Sequence, residues 1–183
     1  MMRKIFNHFL FSIGAMLLLN SCAEELNFNQ IDDLNIVPEV EASLLYVESS
    51  ERLINATIGN EVYTQKFGFG AFNEKFFAEK VISGSITYIV ENTTSKNLDI
   101  LVEFLDDADA VLDTEQFVLQ PEPTAVLQRE IAYGPSGRNI DIIRNTVTLK
   151  ISAINLGDNT SESSVENPKV IVKSSGKFKL KVK

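Results

Sequence analysis

From Val40 onward, apolar and polar residues alternate with a period of two, the pattern of strands that keep one face in a core and the other in water. In the first run Val40, Ala42, Leu44 and Tyr46 share one side, with Glu41, Ser43, Leu45 and Val47 on the other. Ile82, Gly84, Ile86, Tyr88 and Val90 oppose Ser83, Ser85 and Thr87, and Ile100, Val102 and Phe104 alternate with Leu101, Glu103 and Leu105. Residues 114–119, 125–132, 146–154, 170–173 and 177–182 read as strands on the same grounds. Turn formers separate them: Asn92-Thr93-Thr94, Asp106-Asp107, Pro121-Glu122-Pro123, Gly134-Pro135-Ser136-Gly137 and Gly176. About eight strands at this spacing predict an all-β fold, an antiparallel sandwich of immunoglobulin-like type.

Helix is confined to one or two short turns. Residues 73–80 form one, with Asn73 as N-cap, and 139–145 another ahead of the strand at 146. Residues 156–168, rich in Ser, Asn and Glu, are expected to be a mobile polar loop. No internal repeat and no dividing linker interrupts residues 39–183, which are expected to form a single domain.

The first 21 residues carry a different pattern. Arg3 and Lys4 precede a mostly apolar run from Ile5 to Leu19 that is short for a membrane span, and Leu19-Asn20-Ser21-Cys22 follows. This arrangement resembles a bacterial lipoprotein signal with a lipobox at Leu19, Asn20 and Ser21 and acylation at Cys22. Residues 22–38, acidic and amide-rich, then read as a flexible tether. Glu24 and Glu25 resemble a short acidic signal for surface export, and Ala23 stands where an inner-membrane retention signal would carry Asp. The expected location is the outer membrane, facing the surface in preference to the periplasm.

Processing changes the chemistry that remains. The chain of 183 residues has a formal charge of −8, and loss of Arg3 and Lys4 makes it two units more negative. So acidic a protein lacks the basic footprint that a phosphate backbone requires, so nucleic acid is not an expected partner. It also adheres poorly to an anionic bilayer, which leaves the anchoring to the acyl chains. Cleavage removes the single His, His8, and acylation occupies the single Cys. Imidazole- and thiol-based nucleophilic catalysis and histidine-ligated zinc are therefore excluded, and no cofactor is expected. The chain has no Trp, which disfavours a sugar-stacking platform.

One internal segment has a family likeness. Ile86-Thr87-Tyr88-Ile89-Val90-Glu91-Asn92-Thr93-Thr94 is followed by Leu98-Asp99-Ile100-Leu101-Val102-Glu103-Phe104-Leu105-Asp106, then Val111-Leu112 and Leu119-Gln120-Pro121. Residues 82–131 thus resemble FxLYD-type and LEA-like immunoglobulin-type sandwiches, with Ala108 and Ala110 where the family turn carries Gly. The resemblance implies a β-sandwich and no catalytic residues.

Four features are candidates for function. Asp106, Asp107, Asp109 and Asp113 could supply hard oxygens to calcium, or serve as turn residues; no other metal site is expected. Phe67, Phe69, Phe72, Phe76 and Phe77 are either core or an exposed binding patch. The lysines from Lys169 to Lys183 read as a charged edge strand that resists aggregation, or as a contact for an acidic partner. Glu41 with Glu48, and Glu103 with Asp106, are the nearest approach to catalytic carboxylate pairs.

The expected function is that of a non-enzymatic, lipid-anchored envelope protein, an accessory or adaptor for a membrane partner complex. The alternative is a surface module that captures a glycan or an apolar ligand through the Phe67–Phe77 patch.

Overall fold

The computed structural model describes residues 35–70, 74–121 and 126–182. The signal segment, Leu19, Asn20, Ser21, Cys22, most of the tether, Phe72 and the cap residue Asn73 lie outside the described residues. Eight strands form, β1 (Glu39–Ser50), β2 (Glu61–Gly68), β3 (Val81–Asn92), β4 (Leu98–Leu105), β5 (Val111–Leu119), β6 (Leu127–Tyr133), β7 (Thr148–Asn155) and β8 (Lys169–Leu180). Three short helices join them, α1 (Glu51–Asn55), α2 (Lys75–Lys80) and α3 (Ile140–Asn145).

The strands build two four-stranded antiparallel sheets, ordered β1-β8-β3-β6 and β2-β7-β4-β5. The all-β antiparallel sandwich expected from the alternation is the fold. Its connectivity is that of a jelly roll. An immunoglobulin sandwich pairs its first two strands in one sheet, whereas here the first pairs with the last, from Glu39↔Lys179 to Ser50↔Lys169. Among the described strands only β4 and β5 are neighbours both in sequence and in a sheet.

The two faces of β3 and β4 explain the packing. Ile86, Tyr88 and Val90 meet Leu98, Ile100, Val102 and Phe104 between the sheets, all nearly or fully buried. Each such side chain contributes roughly 1.5–3 kcal/mol through removal from water. Phe77 packs edge-on against Phe178 at 5.3 Å, and Tyr88 lies against Phe117 at 5.3 Å. The cavity between the sheets beside Val47, Leu98, Ile151 and Val172 is only about 20 Å³.

Two strand expectations need correction. The residues around Gly176 are not a turn, because β8 runs unbroken through it. A Cβ at Gly176 would lie 2.5 Å from Phe178 Cε2, and one at Gly84 would lie 2.3 Å from Phe178 Cδ1. The two glycines therefore make room for a buried ring. The lysine-bearing strand is also not an edge: β8 lies between β1 and β3. Two of its lysines pair across strands instead, Lys177 with Glu39 at 2.8 Å and Lys169 with Glu48 at 3.2 Å. The short turn expected over 139–145 is α3, and Asn139 caps it, its Oδ1 accepting from Asp141 N at 2.9 Å.

The connections divide between two ends. At one end the chain enters the sandwich, with Ile36 O accepting from Val182 N at 3.0 Å. The α2, α3 and 106–110 connections share that end, joined through Lys181 N to Lys80 O, Phe69 N to Val147 O and Val147 N to Leu105 O. At the other end lie α1, the 93–97 turn and the 156–168 loop.

Candidate functional site

The second end of the sandwich holds the most elaborate polar construction among the described residues. Ser50 closes β1 and caps α1, its Oγ accepting from Leu53 N at 3.4 Å. The first turn then carries Glu51 inward, where it is 3% exposed. Its Oε1 accepts from Ser95 N and Ser95 Oγ, both at 2.6 Å, and its Oε2 accepts from Ser163 N at 2.8 Å. One carboxylate thereby joins α1 to the 93–97 turn and to the 156–168 loop. Burial pushes this carboxyl up, but the hydrogen bonds from Ser163 and Ser95 and the nearby Lys96 ammonium outweigh it and hold it below its ordinary value.

Lys96 is the complementary group, 1% exposed. Its Nζ donates to Ser161 O at 2.7 Å and lies 3.6 Å from Asp158 Oδ1. Asp158 also accepts from Thr160 N at 2.7 Å and from the Ser161 hydroxyl. Hydrogen bonds from Ser161 above all, then from Thr160, keep it below the usual carboxylate range. Asn92, wholly buried, donates to Lys96 O at 2.8 Å and Gln120 O at 2.9 Å, and accepts from Thr94 Oγ1 at 2.7 Å. Asn155 ties the start of the loop to Asp158 O at 2.9 Å and Asn159 Oδ1 at 2.7 Å. The 156–168 segment, expected to be a mobile loop, is instead held from three sides.

A cleft of about 620 Å³ opens beside this network, walled by Glu48, Arg52, Asn55, Glu162, Asn167 and Lys169 among others. Its size is that of a ligand site. Its walls are polar and bear both signs of charge. Glu48 accepts from Tyr46 OH at 2.6 Å and from Lys169 Nζ at 3.2 Å, which hold it below its ordinary value. Sequence reasoning missed this site. Glu51 and Lys96 sit in polar stretches where buried and solvated charges look alike, and only the Ser50 cap ahead of Glu51 hints that a helical turn begins there.

The residues singled out from sequence are dispersed. Asp106 Oδ1 accepts from Ala108 N and Ala110 N at 2.9 and 2.8 Å, as a turn residue does. Asp109 pairs with Lys66 at 2.6 Å, with φ +62°. Asp113 faces inward and pairs with Arg138 at 2.7 Å, while Asp107 stands exposed. Because three of them meet different partners and Asp107 stands apart, the four do not converge on a calcium site. Among the described residues no group of three His, Cys, Asp or Glu is placed to hold a metal. The aromatic patch is corrected likewise. Phe69 and Phe77 are core at 2% and 4% exposure, Phe67 packs against the core, and Phe76 alone of the described members is exposed.

A second charged group closes the open side of the sandwich between β5 and β6. Glu115, 3% exposed, receives Arg129 Nη1 on Oε2 at 2.9 Å and Arg138 Nη2 beside Oε1 at 2.5 Å. The 134–137 turn, with Gly134 at φ +108°, brings Arg138 back to this position. Tyr133 OH lies 3.3 Å from Asp113 Oδ2, and burial above all raises the Tyr133 and Tyr88 phenols.

No protein-family model matches the chain. No curated protein matches it in sequence. Among solved structures it is similar to the VP2 subviral particle protein of infectious bursal disease virus, at 8% identity over 79% of this chain, with a TM-score of 0.42. The chain spans about a third of that protein's length. It is also similar to the desmodium yellow mottle tymovirus protein, at 7% identity over 82% of this chain and 84% of that one, TM-score 0.41. A Bacillus endospore appendage protein from a family of disulfide-linked pili gives 6% identity over 80% and 91%, TM-score 0.35.

Proposed function

We propose that the protein is a non-enzymatic envelope lipoprotein, anchored through Cys22 at the outer membrane and facing the surface, that serves as an accessory or adaptor for a membrane partner complex. The observation that carries this reading is the arrangement of its two ends. A chain tethered upstream of Ile36 enters at one end, and β1 runs straight to Ser50 at the other. At about 3.3 Å per residue, its 12 residues separate the chain's entry into the sandwich from the cleft by roughly 35 Å. The loop end is thus the end opposite the chain's entry, free of the tether and open to neighbours.

Two further observations favour binding over catalysis or apolar-ligand capture. The interior void of about 20 Å³ holds at most a water, and most of the Phe67–Phe77 patch is core. In the cleft, Glu48 and Glu51 are both held below their ordinary values, the opposite of what a carboxyl general acid requires. The polar cleft supports a second reading, capture of a hydroxylated ligand such as a glycan.

The test is gentle detergent extraction from the native membrane beside a Cys22→Ala control. A stoichiometric partner that is lost in the control supports the adaptor. A lone protein whose melting temperature rises with added oligosaccharide supports capture instead.

A further inference from the structure

The loop end combines three properties that together suit a docking surface. First, it is locked. Buried charges such as Glu51 and Lys96 are expensive to desolvate. Here they are spent on fixing α1, the 93–97 turn and the 156–168 loop to one another. Second, from these fixed loops project large apolar side chains. Leu53 is 57% exposed, Ile58 fully so, Leu156 54% and Val165 36%. The segments that carry them are joined: Thr57 O accepts from Asn159 Nδ2, Leu156 N donates to Asn97 O, and Val165 N donates to Ser163 Oγ, which in turn reaches Thr93 O. Third, the surround is acidic. Glu61, Glu162 and Glu166 are exposed there, and Glu91 and Asp99 partly so. Of the cations at this end among the described residues, Lys96 is buried and Lys169 is paired with Glu48, which leaves Arg52.

From this juxtaposition we infer that the loop end is the docking surface for the partner, and that the partner presents a basic protein surface with an apolar centre. The inference rests on the adaptor reading and deepens it. Apolar groups on a locked scaffold lose little conformational freedom on binding, which is the condition under which modest contacts yield affinity. The ring of carboxylates selects for Lys and Arg around that centre and speeds their encounter.

The experiment uses the full chain in its native membrane, with a photo-crosslinking residue placed at Leu53, Ile58, Tyr46 or Phe76 in turn. Leu53 and Ile58 report on the loop end, Tyr46 on the outer face of β1, and Phe76 on the opposite end. Crosslinks from Leu53 and Ile58 alone are expected, on a partner peptide whose Lys and Arg flank an apolar residue. The surface pair Leu53→Ser with Ile58→Ser is expected to weaken recovery of the partner about tenfold with an unchanged melting temperature, and added salt to weaken it further. Crosslinks from Tyr46 or Phe76, an acidic crosslinked peptide, or undiminished recovery by the double variant would overturn the docking assignment while leaving the adaptor intact. A chain that crosslinks nowhere and is extracted alone overturns the adaptor reading, and this inference with it.

Discussion

The two buried charged groups of this sandwich solve the same problem in opposite ways. At the loop end, the charges of Glu51 and Lys96 are met mainly by backbone groups and a hydroxyl of two connections, 93–97 and 156–168. Between β5 and β6, Glu115 and Asp113 are met by the guanidiniums of Arg129 and Arg138. Charge answered by charge stitches two rigid strands that the sheets already hold in place. Charge answered by backbone fixes segments that no sheet holds. The first arrangement can be replaced by apolar packing; the second has no apolar substitute, because the loop N–H and C=O groups would remain without partners.

The largest effect that separates them is expected at Glu51. Glu51→Ala strands the Ser95 and Ser163 amides and leaves Lys96 with Asp158 as its one nearby carboxylate among the described residues, and should cost about 3–5 kcal/mol in denaturant unfolding. Hydrogen exchange should show the protection lost first at residues 93–97 and 156–168. In the clamp, Arg138→Met alone should cost about 2 kcal/mol, because it removes a charged hydrogen bond from Asp113 and a cation from Glu115. Combining it with Glu115→Leu should recover much of that loss, whereas Glu51→Leu with Lys96→Met should recover little. A double-mutant cycle on each pair is the measurement.

Acid should distinguish the groups next. The Glu51 carboxyl is depressed in the folded protein, so its contribution is fully present above the ordinary carboxylate pKa and is lost as pH falls through the folded value. Below about pH 4.3, the ordinary Glu pKa, exchange protection in the two loops should decline before the strands melt. The smallest effect lies at high pH. The Tyr133 and Tyr88 phenols are raised by burial, so the stability they contribute is complete below the ordinary phenol pKa and declines as pH rises toward their folded values. Of the chain's four tyrosines, these two should stay silent in a phenolate absorbance titration until the clamp side of the sandwich opens.

How much of this was legible in the sequence depended on whether the information was local. Alternation in β1, β3 and β4 and the short turn at 139–145 are local, and both led to observed elements. β2 was missed over Glu61–Lys66 because it is an edge strand, exposed along most of its length, and so shows no clean alternation. Gly176 was misread as a turn because its reason for being there is a ring two residues along the same face of β8. The jelly-roll order was out of reach for the same reason: the pairing of Glu39 with Lys179 is set by the other strands rather than by either neighbourhood. The site was the least legible part, since a Glu or Lys in a polar stretch carries no mark of burial. The Asp106–Asp113 cluster illustrates the converse, being dense in sequence and dispersed in space.

The antiparallel register of β1 with β8 has a mechanical consequence. A load applied between the upstream chain and a partner seated at the loop end would run along the length of β1. Every rung from Glu39↔Lys179 to Ser50↔Lys169 would then be strained together in shear, instead of parting one at a time as in an unzipped hairpin. The strand that separates the two ends of the molecule is also the element best oriented to carry tension between them.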